Sequence, residues 1–324
     1  MTEPLLSVKG LTTRFRTERG TVNAVDDVSF DVAPGQTVAV VGESGSGKSV
    51  TALSILRLIP NPPGQITGGQ ILFEGQDLLQ LPDAQMRAIR GDRIAMIFQE
   101  PMSSLNPSLT IGLQIAEPIH QHRGTPWQQA LDMARGLLEK VHIPDAAKRL
   151  HTYPHHYSGG MRQRAMIAMA LACQPRLIIA DEPTTALDVT VQAQILDLLK
   201  DLTRETGASL ILITHDLGVV ARYADRVVVM YGGRVVEQGP ARTIYQRPSH
   251  PYTRGLLASV PRLDGPAGER LVPIEGSPPD LAALPPGCAF APRCRQVSDA
   301  CLATRPKLRA IGTDHLNACL RDDL

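Results

Sequence analysis

No apolar run in this chain approaches the roughly 18 residues that a membrane span needs. Nor does the N-terminus have a signal-peptide layout, since Glu3 and Pro4 precede only a short apolar stretch. Charge of one sign is missing too: the formal net charge is +1, which gives no global electrostatic footprint and argues against nucleic acid as the main partner. Sustained heptads are absent, and so is any C-x₂-C zinc-ribbon spacing. Taken alone, the sequence reads as soluble and cytoplasmic, so a membrane role has to come through partner subunits. What remains is ordinary globular composition, 324 residues long, enough for one large or two modest domains with a sizeable core.

Against that background one stretch stands out. Gly42-Glu43-Ser44-Gly45-Ser46-Gly47-Lys48-Ser49 satisfies G-x-x-x-x-G-K-[ST] at every fixed position. A loop that wraps a triphosphate has to turn several backbone N–H groups inward, and glycine permits the tight bend and close approach. Lys48 supplies a cation for the β- and γ-phosphates, and the Ser49 hydroxyl a ligand for Mg²⁺. Context supports the motif. Thr37–Val41 reads as a buried parallel strand, and Lys48–Ile59 has helical apolar spacing that stops before Pro60. Such a helix points the positive end of its dipole at the phosphates. ATP or GTP binding follows.

Upstream, the β-prone runs Leu5–Val8, Thr12–Phe15 and Val28–Val32 predict antiparallel strands. Phe15 is placed either to stack on an adenine or to fill the core. Downstream, Ile71–Phe73 and Ile94–Phe98 read as strands, and residues 100–157, with a helical pattern over Trp127–Lys140, as an inserted helical subdomain. Helices are predicted over Met161–Cys173 and Val189–Leu199, strands over Leu177–Ala180 and Leu210–Thr214. Gly232-Gly233 separates Val227–Tyr231 from Arg234–Glu237 as a hairpin. Strands alternating with helices imply an α/β core whose ligand lies beyond the carboxyl ends of its parallel strands. Gln99, Asp181-Glu182 and His215 fall at such ends. Asp181 suits Mg²⁺, and Glu182 suits positioning or deprotonating an attacking water.

Ser158-Gly159-Gly160-Met161-Arg162-Gln163 resembles the signature motif of ATP-binding cassette (ABC) ATPases. Thr185-Ala186-Leu187-Asp188 resembles their D-loop, Gln99 their Q-loop glutamine and His215 their switch histidine. All stand in the family's order, over roughly residues 5–240, and Met161 replaces a glutamine common at that position. The resemblance implies a phosphate-loop fold with an N-terminal antiparallel β-subdomain. It also implies a head-to-tail dimer in which Ser158, Gly159 and Gly160 of one ATPase read the γ-phosphate on the other. A helix beginning with bare glycine N–H groups makes physical sense as that anion site. Gln99 would touch the metal or the water and report to the helical insert, which the resemblance places against a membrane permease. His215 would reach the γ-phosphate. Asp188 sits at the dimer seam or caps the following helix.

Residues 241–324 exceed an ATPase core of residues 1–240. His250-Pro251-Tyr252-Thr253 and Gly287–Cys294 resemble the C-terminal extension of oligopeptide/dipeptide importer ATPases, which implies the D-type subunit. The implied assembly has a second homologous ATPase, two permeases and an extracytoplasmic binding protein at the cytoplasmic face of the inner membrane. Nickel or glutathione importers of the same branch are the alternative. A soluble ABC ATPase acting on ribosomes or DNA, and a phosphate-loop kinase, are the rivals from other classes. Cys288, Cys294, Cys301 and Cys319 lie in the extension and resemble this branch's iron–sulfur pattern. A [4Fe–4S] cluster, tetrahedral zinc and unliganded thiols all remain open. Arg293 and Arg295 would stabilise thiolate charge or lie on the surface. Cys173, on an apolar helix, reads as packing, and Pro261–Pro286 as a stretch with little regular structure.

Overall fold

The computed structural model of the chain describes residues 3–18, 20–185, 187–260 and 273–321. The chain divides into two compact units, one of residues 1–32, 37–79 and 213–324, the other of 33–36 and 80–212.

The first unit begins with two long strands, β1 (Leu6–Thr17) and β2 (Gly20–Val32), where sequence patterning predicted three short ones. Register shifts between Val8 and Arg14 explain the difference, because they break the alternation without ending the strand. β3 (Thr37–Val41) runs into the glycine loop and α1 (Lys48–Ile55). That helix stops four residues before the predicted end, and Arg57 then takes a left-handed φ of 52°. β4 (Gly64–Phe73) and β5 (Gln76–Asp77) complete an antiparallel sheet in the order β2-β1-β4-β5.

The second unit starts with α2 (Asp83–Ile89), followed by β6 (Ile94–Ile97). The helices α3 (Pro101–Ser104), α4 (Ile111–Arg123), α5 (Trp127–Lys140) and α6 (Ala146–Arg149) come next. Then follow α7 (Gly159–Ala170), β7 (Leu177–Asp181) and α8 (Val189–Thr206). β7 pairs in parallel with β6, and all five of its residues are buried, as a continuous Leu-Ile-Ile-Ala run requires of a strand covered on both faces. α8 continues beyond the predicted Leu199 because Leu199 and Leu202 extend its buried stripe, and only Gly207, at φ 68°, ends it. β8 (Ser209–Thr214) contributes its first four residues to this unit.

The remainder returns to the first unit. It comprises α9 (Leu217–Tyr223), the hairpin β9 (Arg226–Tyr231) and β10 (Arg234–Pro240), α10 (Ala241–Gln246) and α11 (Pro251–Ala258). α12 (Asp299–Ala303), β11 (Arg309–Gly312) and β12 (His315–Asn317) follow. β3 pairs with β9 in parallel; β9, β10, β12 and β11 are antiparallel neighbours in that order. The C-terminal extension shares the core of this unit. Tyr252 and Phe290 are buried with Ala39, Val41 and Val229, and their rings lie 5.4 Å apart at centroid. Phe290 also meets Tyr231 edge-on.

A buried carboxylate fastens the extension to the sheet. Glu237, on β10, is fully enclosed and accepts hydrogen bonds from the N–H groups of Ser249 (2.7 Å) and His250 (2.9 Å) and from His315 Nε2 (2.8 Å). His250 itself caps α11, its Nδ1 accepting from the Tyr252 N–H. Burial pushes the pKa of His250 down to about 3, so its imidazole is neutral and free to act as that acceptor. Residues 273–286 form no helix or strand, while 261–272 of the proline-rich stretch lie outside the described residues. Among the described residues no helix is long and apolar enough to cross a membrane.

Candidate nucleotide-binding site

In the first unit the phosphate loop is built on left-handed glycines. Gly47 has φ 100°, and a Cβ there would stand 2.4 Å from the Ala24 carbonyl oxygen. At Gly42 the same atom would meet the Met230 carbonyl oxygen at 2.2 Å. Both obstacles are backbone and cannot swing aside. Neighbouring strands also hold the loop: the Gly233 N–H donates to the Ser46 carbonyl at 3.1 Å, and the Asp26 N–H to the Gly233 carbonyl at 2.8 Å. Gly47→Ala is expected to weaken ATP binding more than tenfold, since backbone strain at the loop has no outlet. Equilibrium binding of a fluorescent ATP analogue checks this, and wild-type affinity would contradict it.

Inside the loop, Lys48 is buried, and its Nζ donates to the Gly42 (2.8 Å) and Glu43 (3.1 Å) carbonyls of the same loop. Ser46 Oγ is buried without a hydrogen-bond partner, an orphaned hydroxyl that a phosphate oxygen would satisfy. Ser44 and Gly45 are exposed at the mouth, and Ser49 is half-buried on the first turn of α1. Phe15 is half-buried, its ring 2.7 Å from where a Cβ on Gly64 would stand. His215, just past β8, is exposed; Asp216 next to it caps α9.

The second unit carries the carboxylates. Asp181 ends β7 and is only 5% exposed. Glu182 follows with φ 45°, a left-handed conformation uncommon outside glycine and concentrated at functional sites. Glu182 Oε2 accepts from Gln99 Nε2 and from Thr185 Oγ1, each at 3.0 Å. The structure thus joins two sequence-predicted residues, Gln99 and Glu182, and adds Thr185, which the sequence marked only as the start of the D-loop-like stretch.

In the signature segment Ser158 is the N-cap of α7, its Oγ accepting from the Met161 N–H at 3.3 Å; Ser158 and Gly159 are exposed and Gly160 is half-buried. Gly160 faces Val191, where a Cβ would come within 3.1 Å, and Gly159 faces Leu187. Asp188 caps α8, its Oδ1 accepting from the Val191 N–H at 3.0 Å. Ala186 lies outside the described residues.

The four extension cysteines are free thiols that line one narrow cavity together with His250. Burial pushes the Cys288 thiol up to about 11 and raises Cys294 and Cys319 as well, so without a metal these groups are protonated. Among the described residues no group of three or more His, Cys, Asp or Glu side chains is arranged to hold a metal ion. Neither tetrahedral zinc nor an iron–sulfur cluster finds support in that arrangement. Arg293 neither faces the thiols nor lies on the surface: its side chain is 5% exposed and paired with Glu43 of the phosphate loop. Arg295 is the surface residue, bonded to Glu275. No sequence signal links Arg293 to a loop 250 positions earlier.

Phosphate loop, strand carboxylates and a glycine-started signature helix together define a nucleotide-binding cassette. Residues 25–185 match the ABC transporter family, and residues 236–301 match the oligopeptide/dipeptide transporter C-terminal region. A Brucella melitensis protein provisionally named a peptide import ATP-binding protein is 54% identical, over 98% of this chain and 97% of its own. The dipeptide transport ATP-binding protein of Bacillus subtilis is 52% identical, over 99% and 96%. Among solved structures, a dimeric ATP-binding cassette bound to ADP and Pi superposes with a TM-score of 0.66 at 29% identity, covering 73% of this chain and 99% of that one. The chain is an ABC ATPase. It belongs to the family of ATP-binding subunits that includes these peptide-transport proteins.

Proposed function

We propose that this chain is the D-type ATPase subunit of an importer for dipeptides or oligopeptides, and that its ATP hydrolysis drives import across the cytoplasmic membrane. The observation that carries the reading is full-length similarity to peptide-import ATPases, C-terminal extension included. The chain divides functionally near residue 240, with the insert of residues 100–157 serving a permease. Its partners are a second homologous ATPase and two permease subunits, with an extracytoplasmic binding protein delivering the cargo.

Each candidate residue has a role that its chemistry fits. The amides of Gly42–Gly47 and the Lys48 cation hold the phosphates, while Phe15 offers a face to the adenine. Ser49, Asp181 and Gln99 are hard oxygen donors suited to Mg²⁺, which would neutralise charge on the transferred phosphoryl group. Glu182 orients and deprotonates water, and His215 reaches the γ-phosphate. Ser158, Gly159, Gly160 and Asp188 belong to the face that completes the partner's nucleotide pocket. Cys288, Cys294, Cys301 and Cys319 are proposed as ligands of an iron–sulfur cluster. What speaks for it is that four thiols line one cavity; among the described residues no group of three or more His, Cys, Asp or Glu side chains is arranged to hold a metal ion. Iron, sulfide and zinc analysis after anaerobic purification tests it: absence of stoichiometric iron and sulfide removes the cluster, and absence of all three removes any metal at these thiols. For the transport reading, the chain is co-purified with its membrane partners and uptake of labelled dipeptide, nickel and glutathione is compared. Uptake of nickel or glutathione without dipeptide would overturn the peptide assignment.

A further inference from the structure

We propose that Arg293, reaching in from the C-terminal extension, is a positioning residue for the phosphate loop: its fork on Glu43 sets the peptide groups that frame the loop and hold Lys48. The inference rests on the ATPase identity alone and is independent of the cargo.

Glu43 is the first residue after the leading glycine of the loop, and its main chain has two tasks. Its carbonyl accepts from Lys48 Nζ at 3.1 Å, and its N–H donates to Tyr252 Oη at 2.8 Å. The Glu43 side chain then receives both arms of Arg293, Nη1 to Oε2 at 2.6 Å and Nη2 to Oε1 at 3.0 Å. Arg293 is itself fixed. Its Nε donates to the Glu275 carbonyl at 3.0 Å, its Nη2 to the Ile274 carbonyl at 3.4 Å and its Nη1 to Tyr231 Oη at 3.4 Å. The guanidinium also lies over the Tyr231 ring, 5.9 Å from its centroid. All five N–H groups are thus engaged.

A planar fork matched to a carboxylate fixes orientation in a way that a lysine point charge cannot. A largely buried ion pair adds little net stability, because desolvation offsets the attraction. What such a pair does supply is a defined geometry, and here that geometry belongs to the phosphate loop. Tyr252 and Arg293 are both extension residues and hold the same loop residue, one by its backbone and one by its side chain. The nucleotide pocket of this chain therefore has outer supports that an isolated cassette of residues 1–240 lacks.

The test compares ATP affinity of the full-length chain, by displacement of a fluorescent analogue, with KM and kcat of the assembled transporter. Arg293→Ala and Glu43→Gln are each expected to raise Kd and KM about tenfold, with kcat changed less than about twofold. Arg293→Lys keeps one of the two bonds and should cost about threefold. The double variant Arg293→Ala/Glu43→Gln should be no worse than the weaker single variant, as for two ends of one contact. Should Arg293→Ala fail to fold, Glu43→Gln decides alone, since it leaves the extension intact. Wild-type KM in Glu43→Gln, multiplying effects in the double variant, or a lowered melting temperature with unchanged KM would each overturn the proposal.

Discussion

Glu182→Gln is expected to cut ATP turnover by about a hundred- to a thousandfold while leaving nucleotide affinity near wild type. The side chain keeps its shape, and a single amide oxygen still accepts from Gln99 Nε2 and Thr185 Oγ1, which share one oxygen of the carboxylate in the native protein. What is lost is basicity. An amide cannot take the proton of an attacking water, so hydrolysis slows while everything that binds ATP remains. ATP-bound chains should then accumulate in the closed, partnered state. Phosphate release gives the rate, and retention of ATP on gel filtration gives the trapped species. Turnover within about threefold of wild type would remove Glu182 from its proposed role.

Glu237→Ala is expected to destabilise the folded chain by about 3–5 kcal/mol. Substitution removes the shared acceptor of the Ser249 and His250 N–H groups and of His315 Nε2, and the carboxylate site is wholly enclosed. Each orphaned donor loses its partner where water does not readily follow. Glu237→Gln retains one oxygen but turns an NH₂ towards donors, so an intermediate loss is expected. Urea unfolding followed by circular dichroism measures both variants. A loss below about 1 kcal/mol for Glu237→Ala would show that the three donors find other acceptors.

The parallel strands, the phosphate loop and the signature helix were legible because each rests on local chemistry. Thr37–Val41 and Leu177–Ala180 are apolar runs too short for helices, and the glycines of the loop have a steric reason visible in their spacing. Helix ends were harder to read. α8 ends at a left-handed glycine rather than where its polar residues begin, and α1 stops short because Arg57 leaves the helical region. Least legible were the long-range polar contacts. Glu237 looks like an ordinary surface residue in sequence, and its importance appears only when chain segments farther along supply partners. Arg293 was visible as a basic neighbour of Cys294, yet it turns the other way, towards Glu43. Asp188 had two readings, and its bond to the Val191 N–H makes it at least a helix cap.

β10 receives β12 along one side, with Glu237 opposite Asn317, Gln238 opposite Leu316, and the Ala318 N–H donating to the Val236 carbonyl at 2.8 Å. A polypeptide cut before Arg309 would leave those main-chain groups facing water as an open rim. Any extended segment of a neighbouring molecule could stack there, and clumping would follow at high concentration. The strands β12 and β11 thus shift the rim outward, from the mostly buried β10 to a four-residue strand, and so short an edge is a poorer template for a neighbouring copy.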